Sequence, residues 1–326
     1  MKPPDSLPNE DISLLGVTKV FKTGLLKKKV AVDNLSFVVP PGRVVGLVGP
    51  NGSGKSTTLK MILGFLQPSA GEISICGLDA RSRRVRSLIG YLPENPRFQK
   101  FLSARDILFY YGRLHGISGS TLKAKADSLL ELVNLQASAT ERVGGFSKGM
   151  IQRLAIAQAL LNDPRILIFD EPMSGLDPVG RREIRRLILR IHAERSKATI
   201  LFSSHVLSDV EQLCSSVILL REGRLLKESP ITELLSAERE RYDINVKELP
   251  VCVRTVWSAS NRMRETPQGI TLGVEGIDEL LGCLSQLRDE KVAIIGISSQ
   301  RKTLEDALFG EPGQTAPSSL PAQESV

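Results

Sequence analysis

Nine consecutive residues, Gly49-Pro50-Asn51-Gly52-Ser53-Gly54-Lys55-Ser56-Thr57, fit the pattern G-x-x-x-x-G-K-[ST]. Glycines there let backbone N–H groups curl around a phosphate, and a helix starting behind them adds the positive end of its dipole. Lys55 supplies a point charge suited to the β- and γ-phosphates, and the Ser56 hydroxyl a ligand for Mg²⁺. A pair of acids, Asp170-Glu171, stands directly after the apolar run Ile166-Leu167-Ile168-Phe169. At the tip of a strand beside a phosphate loop, Asp170 can hold Mg²⁺ through water and Glu171 can polarise an attacking water. One acid supports binding; two adjacent acids support hydrolysis. A chance glycine turn or a solvated acidic turn explains either segment alone, but not both in one chain. A dinucleotide fold fits less well, because its G-x-G-x-x-G spacing is absent.

Such chemistry needs strands that end at the loop and helices that leave it. Val44 to Val48 reads as a buried strand into the phosphate loop, and Lys55 to Phe65 as the helix out of it. Further strands are expected at Ser13 to Phe21, Leu35 to Val39, Glu72 to Cys76, Ile89 to Leu92, Ile166 to Phe169, Thr199 to Ser203 and Ser216 to Arg221. Helices are expected at Ala104 to His115, Thr121 to Val133, Lys148 to Leu161, Val179 to Glu194 and Val206 to Leu213. This alternation predicts an α/β domain with a largely parallel core sheet, the early strands forming an antiparallel layer.

A charged stretch near Ser236 to Arg241 marks a break, after which the pattern restarts. A strand at Tyr242 to Val246, an apolar segment at Val251 to Ser258 and strands near Arg262 to Glu265 and Ile270 to Val274 come first. An amphipathic helix Ile277 to Arg288 and a strand Val292 to Ile297 follow. The order β-α-β-β-α-β predicts a small ferredoxin-like α+β module. The expected organisation is a tail at 1–10, an ATPase domain at 11–236, an accessory domain at 237–310 and a disordered Pro- and Ser-rich tail at 311–326.

With 326 residues the chain has room for one large and one small domain. Its N-terminus shows no apolar stretch of the secretory kind, and its longest apolar runs are too short to span a bilayer. The cysteines Cys76, Cys214, Cys252 and Cys283 lie far apart with no C-x-x-C pair, so reduced cysteines of a cytosolic protein are expected. A net charge of +7 is modestly basic. Arginines gather at 81–86 and again at Arg181, Arg182, Arg185, Arg186 and Arg190, which a solvated helix face explains better than a nucleic-acid patch. Proximity to anionic lipid headgroups also suits this balance.

Three further segments carry a resemblance. Phe146-Ser147-Lys148-Gly149-Met150 looks like the signature usually written L-S-G-G-Q, Ser174-Gly175-Leu176-Asp177 like a D-loop, and Ser203-Ser204-His205 like an H-loop. With the phosphate loop and the acidic strand, in this order, the chain resembles the ATP-binding cassette (ABC) ATPases from about Asp11 to Ser236. The resemblance implies a P-loop fold with a parallel core sheet, an antiparallel β layer and a helical signature subdomain. It implies ATP and Mg²⁺ as cofactors, with Lys55, Glu171 and His205 catalytic and Ser56, Asp170 and Glu94 near the metal. The nucleotide would be held by Gly49 through Thr57, Asp177 and Phe21, whose ring is similar to the aromatic that stacks on adenine. Ser147 and Gly149 would touch the γ-phosphate held by a second subunit, in a head-to-tail pair.

Departures refine this reading. Glu94, in Tyr91-Leu92-Pro93-Glu94, replaces the family's Q-loop glutamine; it can accept a hydrogen bond but not donate one as an amide does. Phe146, Lys148 and Met150 replace Leu, Gly and Gln, while the serine and last glycine remain. This looks like the branch that drives drug, lipid, polysaccharide or sodium efflux with separate membrane subunits. The implied partners are an integral membrane permease and a second ABC subunit, identical or related, at the cytoplasmic face of the membrane. No nucleic acid is expected. The alternative, a soluble cassette ATPase acting on nucleic acid or ribosomes, usually carries two cassettes, coiled coils or zinc modules, and none is visible.

Overall fold

In the computed structural model, residues 10–23, 27–194, 198–236, 241–250, 254, 257, 262–266, 269–300 and 303–309 are described. Strands β1 (Ile12–Thr23) and β2 (Lys27–Val39) form a long antiparallel hairpin, Ile12 opposite Val39 and Val20 opposite Val30. Apolar side chains recur at every second position, as in Leu35, Phe37 and Val39, and line one face. Strand β2 starts eight residues before the Leu35 read from the sequence, because Lys28 and Lys29, both exposed, continue it as a charged sheet edge.

Strand β3 (Val44–Val48), buried at every residue, leads through the glycine-rich loop into helix α1 (Lys55–Ile62). That helix stops short of the expected Phe65. Gly64 takes φ 69°, and the N–H groups of Phe65 and Leu66 fold back onto Lys60 O at 2.9 and 3.1 Å. Strands β4 (Ala70–Ile75) and β5 (Leu78–Asp79) complete an antiparallel sheet of order β2-β1-β4-β5. A short helix α2 (Arg83–Arg86) precedes strand β6 (Ile89–Leu92).

Next come three helices packed on one another, α3 (Ala104–Leu114), α4 (Gly119–Leu132) and α5 (Lys148–Ala159). Ser103 opens α3 with a capping box, accepting from Asp106 N at 3.2 Å while Asp106 Oδ2 accepts from Ser103 N at 3.2 Å. The chain then alternates through β7 (Ile166–Asp170), α6 (Pro178–Glu194), β8 (Thr199–Ser204), α7 (Leu207–Leu213) and β9 (Ser216–Arg221). Strand β10 (Arg224–Pro230) and helix α8 (Ile231–Ser236) follow.

The second sheet has order β10-β9-β3-β8-β7-β6, parallel from β9 to β6 with β10 antiparallel at its edge. Its inner strands are covered on both faces, which is why they read as continuous apolar runs. Helix α1 joins the two sheets: Leu59, Met61 and Ile62 share one core with Ile12, Leu35 and Phe37 of the first and Leu47, Ile168 and Leu201 of the second. Burial of each such side chain contributes about 1.5–3 kcal/mol.

The chain divides into two compact units, residues 1–231 and 232–326. In the second, strands β11 (Arg241–Val246), β12 (Met263–Thr266), β13 (Gly269–Glu275) and β14 (Ile294–Gln300) form an antiparallel sheet of order β12-β13-β11-β14. The helix Ile277–Asp289 lays Leu280, Cys283 and Leu287 on Ile244, Leu272 and Val274. This is the strand order of a ferredoxin-like module. Its last strand starts at Ile294 rather than Val292, because Lys291 turns at φ 55° and Val292 N bonds back to Leu287 O at 2.9 Å. Of the segment read at Val251 to Ser258, Arg254 and Trp257 are described, both helical. The expected tails fall almost wholly outside the described residues. Among the described residues no helix is long and apolar enough to cross a membrane.

One close approach ties the helical region to the second sheet. A Cβ on Gly90 would stand 2.3 Å from Ala159 O at the end of α5 and 2.9 Å from Leu167 Cδ2 on β7. Gly90→Ala is therefore expected to destabilise the folded chain by about 1–3 kcal/mol through overpacking. Urea denaturation measures it, and an unchanged midpoint would show that α5 yields freely.

Candidate active site

Strand β3 delivers the chain to a loop at the C-terminal end of the parallel strands. Gly54, the residue before α1, holds φ 104°, and a Cβ there would meet Ala31 O of β2 at 2.7 Å. A side chain could satisfy neither demand. Gly49 is held as tightly: a Cβ would stand 2.3 Å from Leu220 O of β9. Gly52 is the opposite case, with no atom within 4 Å of a Cβ and its backbone open to solvent with Pro50 and Asn51. Ser53 N closes the loop on Pro50 O at 3.1 Å. Helix α1 has no side-chain cap and no acid in its first turn, so its leading N–H groups suit an anion. Ser53 Oγ is buried without a hydrogen-bond partner among the described residues, as expected of a group that awaits an acceptor.

Lys55 lies 6% exposed, its Nζ donating to Gly49 O at 2.7 Å and Pro50 O at 3.3 Å, and 3.9 Å from Glu171 Oε1. Burial pushes its pKa below the ordinary lysine value, against the negative charges of Glu171, Asp170 and Glu94. Strand β7 carries Asp170 to the same place. Asp170 Oδ1 accepts from Ser56 Oγ at 3.5 Å and from Ser203 Oγ, on β8, at 2.7 Å. Ser203 Oγ in turn accepts from Glu171 N at 3.0 Å. Glu171 sits at φ 49°, an unfavourable region for a residue with a side chain, at the point where the strand gives way to a turn. Its Oε2 is bonded to His205 Nδ1 at 2.9 Å, so the two side chains form one unit. The Ser56 hydroxyl and the buried Asp170 carboxylate are hard oxygen donors of the kind that Mg²⁺ takes.

The remaining sequence-predicted residues are spread more widely. Glu94 is exposed, yet its charge reaches both Lys55 and Tyr91. The Tyr91 hydroxyl is pushed up to about 12 by burial and then by Asp170 and Glu94. Phe21 is half-exposed on β1, with Lys19 Nζ 5.4 Å from its ring centroid. Ser147 caps α5, accepting from Met150 N at 3.3 Å, and Gly149 beside it is open. Among the described residues no hydrogen bond ties Ser147 or Gly149 to the phosphate loop of its own chain. Asp177 is exposed and directly precedes α6, accepting from Gly180 N at 2.9 Å.

Sequence reasoning gave Ser203 no role, although it bonds both the Asp170 side chain and the Glu171 backbone. The signal was a hydroxyl directly after the apolar run Ile200-Leu201-Phe202, two residues before His205. The proximity of Lys148 to the D-loop was also missed: a Cβ on Gly175 would stand 2.3 Å from Lys148 Nζ.

Residues 32–174 match the ABC transporter family model ABC_tran. YhcH of Bacillus subtilis (strain 168), an uncharacterized ABC transporter ATP-binding protein, is 34% identical over 89% of this chain and 93% of its own length. The Nod factor export ATP-binding protein I of Burkholderia pseudomallei (strain 1710b) is 40% identical over 64% of this chain and 69% of its own. Among solved structures, the dimeric post-hydrolysis state of the ATP-binding cassette MJ0796 bound to ADP and Pi aligns with a TM-score of 0.62 and 26% identity, over 68% of this chain and 98% of that one. With the phosphate loop, the paired acids and the histidine converging as described, the chain belongs to the ABC transporter family as an ATP-binding, ATP-hydrolysing subunit.

Proposed function

We propose that this chain hydrolyses Mg-ATP in a head-to-tail pair with a second ABC subunit, identical or related, and drives export through a separate integral membrane permease. The observation that carries the reading is the joined set Lys55, Glu171 and His205 with Ser56, Asp170 and Ser203, at the ends of the adjacent strands β3, β8 and β7. Ser56 Oγ and Asp170, with Glu94 nearby, would hold Mg²⁺, which when bound would neutralise charge on the phosphate oxygens. Lys55 exchanges its carbonyl partners for the phosphates, and Glu171 takes the proton of the attacking water. His205 orients Glu171 and faces the γ-phosphate from the exposed side.

Ser147 and Gly149 of one subunit serve the γ-phosphate of the other in this reading, with Phe21 stacking on adenine and Asp177 beside the nucleotide. We place the ATPase domain at 11–236 and an accessory domain at 237–310, flanked by tails at 1–10 and 311–326. Loss of the γ-phosphate removes contacts that hold the pair closed, so hydrolysis opens it. The segment from Glu94 to Phe109, with Phe101 71% exposed, is the proposed seat of a permease helix. Export is carried over from the name of the Nod factor relative, and the proposed permease partner would hold the chain at the cytoplasmic face of the membrane.

Glu171→Gln is expected to lower turnover by about 10²–10⁴-fold and leave an ATP-bound dimer visible by gel filtration with light scattering. Normal turnover by a monomer would refute the assigned base. Lys55→Ala should weaken nucleotide binding by at least about tenfold in calorimetry, from the loss of charge-assisted bonds. Unchanged affinity would overturn the phosphate-loop reading. Purified from its native source in mild detergent, the chain should bring an integral membrane protein with it; nucleic acid in its place would favour the other reading.

A further inference from the structure

We propose that Asp209 is a positioning residue for hydrolysis, fixing the loop that carries His205 to helix α6, which follows Asp177. The proposal rests on the role given to His205 above.

Asp209 lies in the first turn of α7, four residues after His205, with its side chain 3% exposed. A carboxylate so placed is strongly disfavoured without partners. Its partners come from another helix. Arg181 reaches Oδ2, and Arg185 Nη2 stands 3.6 Å from Oδ1. The two arginines are four residues apart on α6 and therefore share one face. They point inward, at 27% and 17% exposure, while Arg182 and Arg186 are exposed. The arginine group read from the sequence as a solvated face thus divides: Arg182, Arg186 and Arg190 are exposed, and the inward pair meets one buried acid. Arg185 Nε is buried without a hydrogen-bond partner among the described residues, so packing brings this guanidinium to Asp209 at the cost of an unsatisfied donor.

The consequence lies in what each helix is attached to. Helix α6 starts at Pro178, directly after Asp177, whose side chain accepts from Gly180 N in the turn that leads to Arg181. Helix α7 is reached from β8 through Ser203, bonded to Asp170 and to Glu171 N, and then His205, bonded to Glu171. Val206, ahead of α7, offers its own N-terminus no side-chain cap. The segment from Ser203 to Asp209 is therefore held at one end by the acids of the site and at the other by the arginines of α6. His205 lies between the two anchors, and any displacement of Asp177 with α6 is passed to it through Asp209.

A merely structural ion pair would change stability alone, whereas a positioning role must depend on His205. The test compares full-length Asp209→Asn, His205→Ala and the double variant for kcat, KM for ATP, nucleotide Kd and Tm. Asp209→Asn is expected to lower kcat about tenfold with KM and Kd within about twofold. In the His205→Ala background, already slow, it should cost nothing further, and Asp209→Glu should recover part of the loss. If Asp209→Asn does not fold, Arg181→Gln replaces it in the same cycle with the same expectations. A wild-type kcat in the single variant, or a full multiplicative loss in the double, overturns the proposal while leaving His205 in place. Unchanged turnover in His205→Ala overturns both this proposal and the role on which it rests.

Discussion

The site depends on a buried cation. Lys55 is withdrawn from solvent at the base of the phosphate loop, and burial works against its charge. Two backbone carbonyls and the carboxylates of Glu171 and Asp170 offset part of that penalty, so the lysine's charge leans on the acids beside it. The same arrangement leaves a concentration of donors in the loop and a neighbouring concentration of negative charge. A Mg-triphosphate, anionic in its phosphates and cationic at its metal, complements both.

Two sheets hold this balance in place. Helix α1 lies between them, and the parallel strands place Asp170, Ser203 and the loop at one edge. Behind the site, a buried polar joint reinforces the contact. Asp11 accepts from Thr199 Oγ1 at the start of β8, pairs with Arg165 at 2.8 Å and receives the Cys76 thiol at 3.4 Å. The thiol, pushed up to about 11 chiefly by burial, stays neutral there. A carboxylate before β1 thus ties the antiparallel layer to β8, the strand directly before His205.

The meeting of the phosphate loop with Asp170 and Glu171 was legible because parallel strands buried on both faces have a plain apolar signature, and these residues stand where such strands end. Asp170 and Glu171 were found in that way. What escaped was polar and depended on distant neighbours. Strand β10 and the lysine-rich start of β2 are sheet edges, which carry charge rather than an apolar pattern. Helix α1 ended early because Gly64 adopts a left-handed turn, a fact of conformation that composition does not announce. Ser203 and the inward arginines acquire their roles from residues 24 to 33 positions away, which periodicity along one element cannot reveal.

The central claim is that one triphosphate is clasped by the phosphate loop of one subunit and the signature of another. A crystal structure of the full chain with Mg²⁺, ADP and beryllium fluoride tests it most directly. The account predicts the fluoride group in contact with Lys55 and His205 of one protomer and with Ser147 and Gly149 of its partner. Nucleotide bound by a single protomer, its signature facing solvent and Lys55 still bonded to Gly49 and Pro50, would contradict it.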